Sequence, residues 1–246
     1  MSYPESIVSL VPSLTELLFD LELGDRIVGR TRFCIHPNEK VEDVPIVGGT
    51  KNPRLDKIFD IKPDLVIANR EENRKEDVEE LAGSLDVMVT DIKTIEDALL
   101  AIHDIGVRCG VAEKADLLIE NIRAEMDNVP DEPKQSVAYF IWREPWMTVG
   151  RDTYIDSVLS HWNLKNVYGD QKRYPKTTLE DLKSKAPDLI LLSSEPYPFK
   201  EKHREEIEAA LPNSRVLMVD GEWFSWYGSR MLPAFKRLNE FRKAIS

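Results

Sequence analysis

Four of the five tryptophans in this 246-residue chain fall in two short stretches, Trp142-Arg143-Glu144-Pro145-Trp146 and Gly221-Glu222-Trp223-Phe224-Ser225-Trp226-Tyr227-Gly228. Large aromatic faces interleaved with a few charges suit a flat, partly apolar ligand, which they grip at low side-chain entropy cost. The competing reading is that Trp142, Trp146, Trp223 and Trp226 pack on one another and stiffen their loops. Phe33, Tyr174, Tyr197 and Phe224 extend the aromatic set, and Asn69, Arg70, Arg143 and Glu144 stand directly after strand-like apolar runs, where they could answer polar groups on a ligand. Cys34 and His36 are two apart and could share a metal, although two ligands do not complete a site. Enzyme signatures are lacking: no phosphate-cradling glycine loop, no His-Glu-x-x-His and no nucleophile elbow. The histidines, at 36, 103, 161 and 203, are dispersed, and only His36 is placed for chemistry.

The elements that must carry these residues are announced by an internal repeat. Leu55-Asp56-Lys57-Ile58 precedes Lys62-Pro63-Asp64-Leu65-Val66-Ile67-Ala68, and 124 residues later (Pro63 to Pro187, Asp64 to Asp188) Leu179-Glu180-Asp181-Leu182 precedes Ala186-Pro187-Asp188-Leu189-Ile190-Leu191-Leu192. Val87-Met88-Val89-Thr90 and Leu217-Met218-Val219-Asp220 form a third pair in the same order. Each half alternates short helices with unbroken apolar runs of strand length, the pattern of a mainly parallel sheet covered on both faces. Ile7 to Val11 and Val137 to Ile141 supply the first strands. The expectation is therefore two Rossmann-like α/β lobes, 1–108 and 131–246, with a connecting helix at 109–130 whose stripe is Ala115, Leu118, Ile119 and Ile122. Gly106 and Gly110 are expected to break the helical region into two helices. Ligands of such sheets lie at the carboxyl ends of the strands, which is where the aromatic stretches fall.

Composition narrows the partners. Forty-four acidic against 33 basic residues give a net charge of −11, which argues against nucleic-acid or anionic-membrane binding. Two cysteines do not make a disulfide framework. No run reaches the ~18 apolar residues of a membrane span, and no signal peptide precedes Ser6, so the sequence as written is expected to be cytoplasmic and not membrane-inserted.

The stretches "SIVSLVPSLTELLFDLELGDRIVGRT", "VGGTKNPRLDKIFDIKPDLVIANREEN", "PDLILL" and "VDGEWFSW", in this order, resemble the helical-backbone metal receptor superfamily, the substrate-binding proteins of cobalamin, haem and iron-siderophore ABC importers. The chain is most similar to the cobalamin-binding branch. The resemblance implies a single long backbone helix joining the lobes, a ligand cleft between them and a bound metal chelate without catalysis, with cobalamin or another corrinoid first and haem or a ferric siderophore as alternatives. It sets Trp223 where cobalamin binders place a stacking tryptophan, Phe33 at or beside a cleft tyrosine and His36 near another. Asn69 stands where those binders carry a tryptophan after "PDLVIA", and Trp142, Trp146 and Trp226 are additions that suit a different or smaller chelate. Docking on an ABC permease would use one surface acid per lobe, Glu72 or Glu76 and Glu201 or Glu205. The implied protein is a monomer working outside the inner membrane. The alternative is a cytosolic relative acting as a metal-dependent enzyme or small-ligand sensor through Cys34, His36, Arg143 and Glu144.

Overall fold

The computed structural model describes residues 3–246, which divide into two compact units. The first comprises the chain through Ile92, Glu96–Arg123 and Tyr227–Leu232; the second comprises Lys93–Ile95, Ala124–Trp226 and Pro233–Ser246. Among the described residues no helix is long and apolar enough to cross a membrane.

In the first unit β1 (Ile7–Ser9), α1 (Pro12–Asp20), β2 (Ile27–Arg30), α2 (Asn38–Val41), α3 (Leu55–Ile61), β3 (Leu65–Asn69), α4 (Lys75–Ala82) and β4 (Val87–Thr90) follow one another. The strands form one parallel sheet in the order β2-β1-β3-β4. Every residue of β3 is buried, as a strand covered on both faces requires. Val8, Leu10, Val47, Ile58, Val66 and Leu81 form a core on one of those faces. Two helices follow, α5 (Ile95–Cys109) and α6 (Ala112–Asp127), and the chain passes into the second unit within α6. The helical region thus breaks once, at Gly110, whose φ of +78° is a conformation that costs glycine nothing. The expected two helices are present, and of the two glycines named for the break Gly106 lies inside α5. A Cβ there would come within 2.4 Å of the Ala115 Cβ, so its missing side chain is what lets α5 and α6 approach.

The second unit contains β5 (Gln135–Trp142), β6 (Trp146–Thr148), α7 (Tyr154–His161), β7 (Leu164–Asn166), β8 (Lys176–Thr177), α8 (Leu179–Lys185), β9 (Leu189–Ser193), α9 (Glu201–Ala210), β10 (Arg215–Val219), α10 (Glu222–Ser225) and most of α11 (Met231–Ile245). Its sheet runs β10-β9-β5-β6-β8, with β7 also on β5. The β5, β7, β9 and β10 pairings are parallel, whereas β6 is antiparallel to β5 and β8. The mixture has a local cause. Arg143-Glu144-Pro145, with Glu144 at φ +67°, reverses the chain in three residues, too few for the crossover that a parallel neighbour needs.

The repeat is visible as geometry. Helices α3 and α8 each stop on a left-handed residue, Lys62 (φ 52°) and Ala186 (φ 41°), because the proline that follows cannot continue a helix. The next residue then ties the sheet together. Asp64 accepts from the Ser6 N–H and Oγ at 2.9 Å each, while its own N–H donates to Ser6 Oγ at 3.0 Å. Asp188 does the same with Ser136, at 2.8, 2.6 and 2.8 Å.

Candidate functional site

The aromatic stretch after β5 separates into two layers. Trp146, on β6, stacks on Phe199 (ring centroids 6.0 Å apart, planes 9° apart) and meets the edge of Phe140 at 5.3 Å, at the margin of the core formed by Ala138, Phe140, Ile190 and Leu192. Trp142 lies outside that layer, 40% exposed, with its ring edge-on to Tyr197 at 5.6 Å. Tyr197 in turn touches Phe199 (4.9 Å) and His203 (5.5 Å). Arg143 lies over the Trp146 ring at 5.3 Å and pairs with Glu206 at 2.8 Å and with Glu144. His203 is buried, accepts the Lys200 N–H on Nδ1 at 2.9 Å, and is held below the ordinary histidine range by burial and then by Arg143. It is a neutral imidazole closing the start of α9. Half-buried Tyr174 lies apart, under the Arg173 guanidinium at 5.7 Å.

The stretch after β10 is a one-turn helix, α10, and its aromatics part company. Phe224 is fully buried against Tyr139 (5.1 Å) and Phe241 (6.3 Å). Trp223 is half-buried and borders a shallow depression of about 460 Å³ with Arg237, Glu240, Phe241 and Ala244 of α11. Trp226 is fixed by its indole, which donates to the Glu195 carboxylate at 2.9 Å. The same oxygen accepts from Ser225 Oγ at 2.9 Å. Burial first, then the neighbouring Glu222 and Asp220, hold Glu195 above the usual carboxylate range.

In the first unit, Phe33 is 48% exposed beneath the Arg32 guanidinium at 5.1 Å. Asn69 is fully buried and turned into its own loop: Oδ1 accepts from the N–H of Glu71 (2.8 Å) and Glu72 (3.2 Å), and Nδ2 donates to Thr90 Oγ1 (3.0 Å). Arg70 is exposed and paired with Asp91 at 3.0 Å. Cys34 is fully buried, its sulfur 3.1 Å from Thr15 Oγ1 and 3.3 Å from Thr31 Oγ1, and burial pushes the thiol up. Half-buried His36 lies near Glu16, whose carboxyl burial holds above the usual range although Arg230, which forks onto it at 2.5 and 3.0 Å, and then His36 act against that rise. Glu72 lies in the loop before α4 and exposed Glu76 in its first turn; Glu201, paired with Arg204, and Glu205 are exposed on α9.

A model of the periplasmic binding protein family matches residues 7–215. This chain belongs to the periplasmic binding protein family. Its relatives include an uncharacterized ABC transporter substrate-binding lipoprotein, YvrC, of Bacillus subtilis (strain 168), 29% identical over 256 residues that span 96% of this chain and 79% of the relative. A vitamin B12-binding protein of Pectobacterium carotovorum is 24% identical, over 99% of this chain and 90% of its own. Among solved structures, the periplasmic vitamin B12 binding protein of Vibrio cholerae shares the fold at a TM-score of 0.84 and 21% identity, covering 98% of each chain. A periplasmic heme-binding protein of Roseiflexus sp. RS-1 does so at 0.80 and 20%, covering 98% of this chain and 99% of that one.

Periplasmic binding proteins of this kind are substrate-binding transport proteins and not enzymes, which fits the reading as a substrate-binding protein and not the alternative through Cys34, His36, Arg143 and Glu144. The side chains give the physical reason. The Cys34 thiol is enclosed by two threonine hydroxyls and kept protonated, whereas a reactive cysteine needs an accessible, electropositive setting. Arg143 is held by ion pairs to Glu144 and Glu206. Among the described residues no group of three or more histidine, cysteine or acidic side chains is arranged to hold a metal. Two residues of this periplasmic binding protein that the motifs do not single out are Ser193 and Glu195. The repeat offers the signal for the first, since Ser193 stands 124 residues after Asn69.

Proposed function

We propose that this protein is the substrate-binding component of an ABC importer and that its cargo is a corrinoid or a related metal chelate. The observation that carries the cargo assignment is the exposed Trp142 ring braced edge-on by Tyr197 at the carboxyl end of β5 and β9, in a periplasmic binding protein with vitamin B12-binding relatives. A rigid aromatic ledge buries the face of a macrocycle with little loss of side-chain entropy, and affinity then follows from apolar burial rather than from charge. Trp223 in the second unit and Phe33 in the first are the further ring contacts of the proposal. Trp146, Phe224, Asn69 and Cys34 act behind the contact layer, holding their loops. The permease is engaged by one exposed acid of each pair, Glu72 or Glu76 and Glu201 or Glu205, and the binding protein works as a monomer.

Titration of the purified protein with cyanocobalamin, haemin and ferrichrome, followed by tryptophan fluorescence, tests the cargo. Saturable quenching at micromolar concentration or below by cyanocobalamin is the expected result. Quenching by haemin or ferrichrome alone reassigns the chelate, and no response to any of the three overturns the reading.

A further inference from the structure

The residues that hold α10 carry an inference beyond the ligand contacts themselves. A helix of four residues, Glu222–Ser225, without a side-chain cap is far below the length at which a helix is stable alone, so its shape is imposed by its neighbours. The loop after β9 grips it at both ends. At the start, the Gly221 N–H donates to Ser194 Oγ at 2.9 Å, and a Cβ on Gly221 would lie 2.4 Å from Ser193 Oγ and 2.5 Å from Glu195 Cγ, so the two loops touch. At the end, one oxygen of Glu195 accepts from both Ser225 Oγ and the Trp226 indole at 2.9 Å. Glu195 is itself pinned, since Ser193 Oγ donates to its carbonyl at 2.6 Å and accepts from the Tyr139 hydroxyl at 3.1 Å.

We infer that Glu195 is the positioning residue of this aromatic stretch, its carboxylate fixing Trp226 and, through the C-terminal end of α10, setting the presentation of Trp223. The inference rests on the reading of Trp223 as a ligand contact. Glu195 touches no ligand in it and acts through the indoles. A charged acceptor makes the stronger bond to each donor. The groups that face this carboxylate are Asp220 after β10, Glu222 on α10 and the Tyr139 phenol on β5, so acidification weakens the grip.

The test uses indole N–H resonances of the full chain labelled with ¹⁵N-tryptophan, the Trp226 signal being identified by its loss in Trp226→Phe. Trp162, whose indole donates to Asn239 at 2.8 Å in the same unit, is the internal control. Glu195→Ala is expected to shift the Trp226 resonance and to speed its hydrogen exchange by about tenfold or more, with Trp162 unmoved. Glu195→Gln, which keeps an acceptor oxygen, is expected to restore the resonance and to remove its pH dependence. Should Glu195→Ala disturb Trp162 as well, Glu195→Asp, shorter by one methylene, provides the same comparison in a folded protein. Affinity for whichever of cyanocobalamin, haemin or ferrichrome binds the wild type is expected to fall about tenfold in Glu195→Ala and to stay near wild type in Glu195→Gln. An unmoved Trp226 resonance in Glu195→Ala overturns the inference, as does equal affinity of the alanine variant and the wild type. If none of the three chelates binds the wild type, the cargo reading fails, while the Trp226 resonance still decides whether Glu195 positions it.

Discussion

Asn69 and Ser193 occupy the same place in the two units, the last residue of a fully buried five-residue strand reached through a short helix, a left-handed stop and a Pro-Asp pair. Both side chains fold the loop that follows, and they differ in reach. Asn69 spans to the N–H groups two and three residues on, and the polar segment turns into α4 by Lys75. Within the loop Ser193 reaches Glu195 alone, donating to its carbonyl at 2.6 Å and accepting from its N–H at 3.4 Å, and it also accepts from the Tyr139 hydroxyl on β5 at 3.1 Å. The loop it starts runs on to Glu201 and fills with Tyr197 and Phe199. One duplicated scaffold thus ends in a short, hydrogen-bonded loop in the first unit and in an aromatic ledge in the second. The strand and its supports are alike in the two units, and the loop that follows is where they differ.

The largest effect that would sharpen this contrast is on binding. Replacing Trp142 and Tyr197 together by alanine is expected to weaken chelate binding by about 2 to 4 kcal/mol, and Phe33→Ala by about 1 kcal/mol. Quenching titrations on variants with unchanged circular dichroism check the ranking, and a larger loss at Phe33 would move the principal contact to the first unit. Next in size is stability. Asn69→Ala strands two half-buried N–H groups, takes a donor from the Thr90 hydroxyl and is expected to destabilise by about 2 to 3 kcal/mol, against about 1 to 2 kcal/mol for Ser193→Ala. Urea unfolding measures both, and equal values would mean that the two loops are held alike.

The scaffold of this comparison was legible in the sequence because its signals are local. Unbroken apolar runs and Pro-Asp pairs at a fixed spacing need no knowledge of distant residues. What was not legible depends on partners far along the chain. The spacing of Trp142 and Trp146 does not say which ring turns to solvent; that is decided by Phe199 and Tyr197, more than fifty residues later. Glu195 acquires its role from Trp226, 31 residues away. Asn69 follows an apolar run as a ligand contact would, and only Thr90 on the neighbouring strand shows that it turns inward. Gly106 looked like a helix breaker because the sequence does not reveal that Ala115 packs against it.

A smaller effect probes that packing. Gly106→Ala adds helix propensity but forces a Cβ to within 2.4 Å of Ala115. Overpacking of this kind costs about 1 to 3 kcal/mol, against a propensity gain of about 1. A net loss on urea unfolding is therefore expected, and Ala115→Gly should recover part of it in the double variant. A stabilised Gly106→Ala would mean that α5 and α6 are free to separate.

The smallest effect compares the two serine-aspartate clasps. The Ser6 hydroxyl and the Glu5 and Ser6 N–H groups hold Asp64 below the usual carboxylate range; the Ser136 hydroxyl and N–H do so for Asp188. A carboxylate depressed in the folded state contributes stability that is present above its unfolded value, near pH 4, and lost as the pH falls through its folded value. Ser6→Ala and Ser136→Ala are each expected to raise the partner acid, so each variant should differ from wild type most at neutral pH and least in strong acid. Asp64 keeps two backbone donors in Ser6→Ala and Asp188 keeps one in Ser136→Ala. Asp188 should therefore return closer to the ordinary range, which a side-chain carboxyl ¹³C titration of the two variants reads directly. An equal rise at both acids would mean that the serine hydroxyl alone sets the clasp and that the extra donor from Glu5 contributes nothing.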